Sequence, residues 1–123
     1  MNLTLWIFQA VLAAVFAGSG LAKITMSRER LLATGQTGIT PFPMAVVRAT
    51  AAAELLAVAG LLLPWATGIA SVLTPTAAIG LCVVMVGAAA SHAQLREPRN
   101  VAVNALLFAL ALTVAAGRLA TPS

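Results

Sequence analysis

The chain has 123 residues, 61% of them hydrophobic and 8% charged, with a net charge of +4 and a sequence pI near 11.3. Soluble domains carry about 25% charged residues, so these figures, with a mean hydropathy of +1.01, exclude disorder, a secreted disulfide scaffold and an ordinary cytosolic globule. The high pI reflects seven Lys and Arg against three Glu, and those cations gain meaning only from position.

Four apolar runs follow one another, at residues 3–22, 44–63, 66–90 and 101–119. Each matches the ~20 residues that carry a helix across ~30 Å of hydrocarbon. Backbone groups in lipid must bond internally, so the prediction is an all-α membrane protein, a bundle of four transmembrane helices in a single domain spanning 1–123.

The first run starts without Lys or Arg between Met1 and Leu5, unlike a cleavable signal peptide, and is read as a retained helix. It bears a small-residue row, Ala10, Ala14, Gly18 and Ala22, echoed by Ala45, Ala49, Ala53 and Ala57 in the second run and by Ala105, Ala109, Thr113 and Gly117 in the fourth. Such rows let helices approach closely, within a bundle or between copies. In loop 23–43, Ser27 is placed to cap a short amphipathic helix ending at Thr34, with Leu31 and Leu32 toward lipid and Arg28 and Arg30 toward water. A turn at Pro64-Trp65 joins the second and third helices, and Pro75 is expected to bend the third.

Loops 23–43 and 91–100 hold Lys23, Arg28, Arg30, Arg96 and Arg99, whereas the opposite end has Arg118 alone. The positive-inside rule places both loops in the cytoplasm and both termini outside a cell membrane, with Trp6 and Trp65 anchoring the outer interface. The basic surplus is thereby explained without nucleic acid.

Chemistry centres on Glu54, near the middle of the second run. A carboxylate there costs about 2.5–3.5 kcal/mol on the insertion scale, so it must face the bundle interior and be paired, hydrated or protonated. Lys23, Arg48, His92 and Asn104 lie on the same, loop-bearing half and form with Glu54 a candidate ligand-binding or proton-relay set. Arg48 and Glu54 are about 120° apart around one helix, which leaves Lys23 or a group on another helix as the better partner for Glu54. An interhelical hydrogen-bond clamp is the plainer role for the same carboxylate. Cys82 is a lone packing cysteine and no CxxC exists, so no dithiol relay is available within the chain. No metal site, catalytic triad or phosphate loop is legible.

Gly18-Ser19-Gly20-Leu21-Ala22-Lys23-Ile24 resembles the G-x-x-K-[LI] end of the first helix in DoxX-like membrane proteins. Ala53-Glu54-Leu55-Leu56 with Ala59-Gly60-Leu61 resembles their second-helix E-x-x-x-G-x-x-x-L signature, and Val86-Gly87-Ala88 leading to His92 their third. The resemblance implies a four-helix integral membrane protein with recurring polar positions at Lys23, Glu54 and His92. It also implies association with quinol-linked redox subunits and soluble partners.

The expected function is therefore an accessory membrane module, not an enzyme on its own. Its pocket around Glu54 would bind a lipophilic ligand, a quinone or membrane lipid, or engage a partner membrane or peripheral redox protein, or a second copy. The alternatives are a quinone-coupled oxidoreductase subunit needing an electron carrier on another chain, and a small proton-coupled transporter.

Overall fold

The computed structural model describes residues 2–120. Helix α1 spans Asn2–Thr25, the short α2 spans Arg28–Ala33 and a 3-10 turn covers Thr37–Ile39. Helices α3, Met44–Thr67, α4, Leu73–Gln94, and α5, Pro98–Ala120, follow. Among the described residues, four helices are long and apolar enough to cross a membrane: α1, α3, α4 and α5. At ~1.5 Å per residue they extend roughly 33–36 Å.

The helices form a closed ring in chain order, α1 against α3, α3 against α4, α4 against α5, and α5 back against α1. Asn2 and Arg118 share a hydrogen bond, so α1 begins where α5 ends. The core holds Leu12, Phe16, Leu61, Leu81, Leu107 and Val114, while Leu3, Leu56, Val83 and Leu106 are exposed on the outside. An apolar exterior of this kind suits lipid.

Close approach uses mostly other small residues than the predicted rows, whose inward-packing members are Ala22, Ala57 and Gly117. Ala10, Ala14, Gly18, Ala45, Ala49, Ala53, Ala105 and Ala109 are exposed on the outer faces of the bundle. The contacts inside fall on Ala51, Ala78, Ala111 and Ala115, with Gly60 and Gly117 at the tightest points. A Cβ on Gly60 would sit 2.9 Å from the Ala77 Cβ, and one on Gly117 would sit 2.7 Å from the Leu5 side chain.

Both prolines behave otherwise than expected. Pro64 lies inside α3, which continues to Thr67 and ends at Gly68 in the left-handed region (φ 74°), so the turn to α4 is residues 68–72. Proline's missing N–H removes the bond to the carbonyl four residues earlier, that of Gly60. The Thr74 hydroxyl donates to this same carbonyl at 2.8 Å, and Gln9 Nε2 donates to the next one, that of Leu61. Pro75 falls in the first turn of α4, where an N–H would have no intrahelical acceptor, so it need not bend the helix.

In the connecting segment, Ser27 caps α2 by accepting from the Arg30 N–H at 3.3 Å. Leu31 does not face lipid: it is buried with Ile39 and Val47, which folds the loop back over the end of the bundle. Nor does Arg28 simply face water, since its guanidinium donates to the carbonyls of Phe42, at 2.8 Å, and Thr40, at 2.7 Å.

Candidate functional site

A cavity of about 550 Å³ opens at the loop end of the bundle. Its walls are largely apolar, with Phe16, Phe42, Val46, Met85 and Leu107, and its polar lining includes Lys23, Glu54, His92 and Asn104. Small-molecule sites typically have this size and mixture, mostly apolar with a few placed polar groups. The structure thus brings four of the five sequence-derived candidates to one space.

Glu54 projects inward from the middle of α3 and is 1% exposed. The Lys23 ammonium, in the last turn of α1, donates to its Oε1 at 3.0 Å. Lys23 reaches inward along its aliphatic stem rather than out to the headgroups. The second carboxylate oxygen, Oε2, is buried without a hydrogen-bond partner.

Asn104, in α5, is 8% exposed. Its Nδ2 donates to the Met85 sulfur at 3.5 Å, and its Oδ1 is buried and unpartnered. A thioether accepts weak hydrogen bonds but cannot donate them, which favours the amide orientation with nitrogen toward Met85. Two acceptor oxygens, one on α3 and one on α5, therefore stand unsatisfied beside one cavity.

His92 marks the mouth. Its Nδ1 lies 2.7 Å from Glu97 Oε1, and that oxygen also accepts from Thr37 Oγ1 at 2.8 Å and Asn100 Nδ2 at 3.4 Å. The hydrogen bonds from His92 and Thr37 hold the Glu97 carboxyl below the usual glutamate range. This cluster ties the 3-10 turn to the α4–α5 junction. Gln36 and Asn100 add polar lining beside it. Sequence reasoning missed Glu97, for which His92 and Glu97 flanking one helix end was the available signal.

Arg48 stands apart from the cavity. Its guanidinium donates to the carbonyls of Ile24, Lys23 and Met26, closing the C-terminal end of α1. The orphan carbonyls of a helix end are its natural partners.

A second polar cluster occupies the other end of the bundle. Arg118 is 2% exposed; its Nε donates to Gln9 Oε1 at 2.7 Å and its Nη1 to Asn2 Oδ1 at 2.6 Å. The guanidinium also lies 5.4 Å from the Trp6 ring centroid and 4.4 Å from that of Trp65. Arg118 is thus not the isolated outer cation that loop counting suggested, and the two indoles flank it as cation–π partners. Cys82 is buried in the core, as a packing cysteine would be. No group of three or more His, Cys, Asp or Glu able to hold a metal occurs among the described residues.

Comparison with known families places these features. The model of the DoxX-like family matches residues 7–114, nearly the whole chain, and the chain belongs to that family. It is a multi-pass membrane protein. No curated protein and no solved structure matches it.

Proposed function

We propose that this DoxX-like chain is a non-catalytic accessory module that binds a lipophilic ligand, a quinone or a membrane lipid, in the cavity around Glu54. One observation carries the reading: a buried Glu54 carboxylate, paired with the half-buried Lys23, stands against an apolar-walled cavity of about 550 Å³. Burying two charges is costly, and packed apolar residues would stabilise a bundle as well or better, so a role beyond stability accounts for the pair more economically. An apolar wall suits the body of a lipophile, and the buried polar floor suits its head.

The cavity mouth faces the cytoplasm in this reading, with both termini outside the cell membrane. The excess of cations at the loop end supports that orientation. Mass spectrometry of small molecules copurifying in mild detergent tests the assignment. A lipophile enriched with wild type and lost from Glu54→Gln is the expected result. Identical profiles from two equally stable proteins would remove it.

A second, compatible role is docking of a partner helix or a second copy. The small-residue rows on the outer faces of α1, α3 and α5 favour it, because such rows permit close helix contact in lipid. Crosslinking in membranes through single cysteines at Ala14, Ala49 and Ala109 distinguishes a paired face from a lipid-facing one.

A further inference from the structure

The cavity's unsatisfied atoms define the chemistry of the head it receives, given the ligand-binding reading above. Glu54 Oε2 and Asn104 Oδ1 are both at least nine-tenths buried, both belong to cavity-lining residues, and both lack a hydrogen-bond partner. Each is an acceptor. Turning the Asn104 amide over would give up the Nδ2 contact with the Met85 sulfur at 3.5 Å, which favours the oxygen as the free atom. Beside the Glu54 carboxylate, the Lys23 ammonium has three N–H donors, one of which is directed at Glu54 Oε1.

The geometry points to a neutral lipophile with a hydroxyl head, an alcohol or a phenol, as the occupant. A hydroxyl both donates and accepts, so it satisfies an orphaned acceptor while taking a hydrogen bond from Lys23. A head with only carbonyl or ether oxygens leaves Glu54 Oε2 and Asn104 Oδ1 unpaired after the site has dried. Charged heads fit poorly, because the Lys23–Glu54 pair is already neutral and offers no counterion. Where a molecule exists in hydroxyl and carbonyl forms, as a quinol and its quinone do, the hydroxyl form is the one retained.

The experiment compares two probes with the same octyl-phenyl body, 4-octylphenol and 4-octylanisole, in which an O-methyl group replaces the donating hydrogen. Each is titrated into the intact protein in mild detergent and bound probe is counted by native mass spectrometry. Wild type is expected to bind the phenol about tenfold or more tightly, since a site built to pair a hydroxyl penalises the analogue lacking it. Asn104→Leu, which removes one orphaned acceptor, is expected to narrow that ratio. Equal affinity for the two probes, or preference for the anisole, in wild type overturns the hydroxyl assignment while leaving the cavity a ligand site. Binding of neither overturns both the assignment and the ligand reading.

Discussion

Thr74 donates its hydroxyl hydrogen to the carbonyl of Gly60 at 2.8 Å, across the interface between α4 and α3. That carbonyl is the one Pro64 cannot serve. The threonine thus repairs a proline defect on a neighbouring helix and lets α3 run on to Thr67, which carries Trp65 to its place beside Arg118. Thr74→Val keeps the shape and removes the donor. It should cost about 1 kcal/mol, in the range of interhelical hydrogen bonds in membranes. Reversible unfolding in mixed micelles measures it, and a valine variant as stable as wild type would show that the carbonyl finds other relief.

The Lys23–Glu54 pair should be strongly asymmetric to mutation. Lys23→Met leaves an unpaired carboxylate in a closed setting and should cost about 3–5 kcal/mol, whereas Lys23→Met with Glu54→Met should recover most of that loss. A double-mutant cycle on unfolding free energy reads the coupling. Additive effects would mean that the two groups do not depend on each other.

Acid should loosen the loop over the cavity. Glu97 has a folded-state pKa below its usual range, through His92 and Thr37, so its stabilising contribution is complete above the ordinary glutamate pKa. It fades as pH falls through the lowered value. The protection factors of the amides at residues 34–40, with the intrinsic exchange rate divided out at each pH, should therefore be high near neutrality and fall only in strong acid. Glu97→Gln should show lower protection throughout, without that acid-dependent fall. A loop equally protected in both proteins at all pH values contradicts the latch.

Arg118→Lys should be destabilising although charge is retained. A lysine cannot supply the fork that reaches Gln9 and Asn2 together, nor stack as a plane between the indoles. A loss of about 1–2 kcal/mol is expected. The chain has two tryptophans, both at this guanidinium, so intrinsic fluorescence reports this end alone. An unchanged emission spectrum in Arg118→Lys would show that the stacking is incidental.

Topology follows from labelling. A single cysteine at Arg99 should react with an impermeant thiol reagent only after the inner face is opened, and one at Leu3 without opening, in a Cys82→Ala background. The reverse pattern inverts the orientation.

Much of this architecture was legible in the sequence because lipid imposes simple demands. Runs of apolar residues long enough to span could only be helices, and a carboxylate at Glu54 had to turn inward. The apolar runs said little about where helices end, since Pro64 is tolerated by virtue of a hydroxyl ten residues later on another helix. Helix angle made Arg48 the poorer partner for Glu54, but its actual role required knowing that α1 ends beside it. The small-residue rows found Gly117 but mostly misled, because four-residue spacing identifies a face without saying what it meets. Arg118 looked solitary because Asn2 and Gln9 come from the other end of the chain, and no spacing rule links them. Glu97 hid for a related reason: in a basic loop it reads as charge balance, and Thr37 meets it only after Leu31 has drawn the connecting segment down.

The clamp between Gln9 and Arg118 joins groups 109 residues apart in the chain. During synthesis the Gln9 nitrogen can meet the Leu61 carbonyl as soon as α3 is in place, but its oxygen waits until Arg118, near the end of α5, is made. Until α5 arrives the ring is open and one edge of α1 is bare, so translation finishes the bundle at the same end where it began. A chain released short of Arg118 leaves the Gln9 oxygen without its donor in lipid, a mark by which it differs from one that carries all of α5.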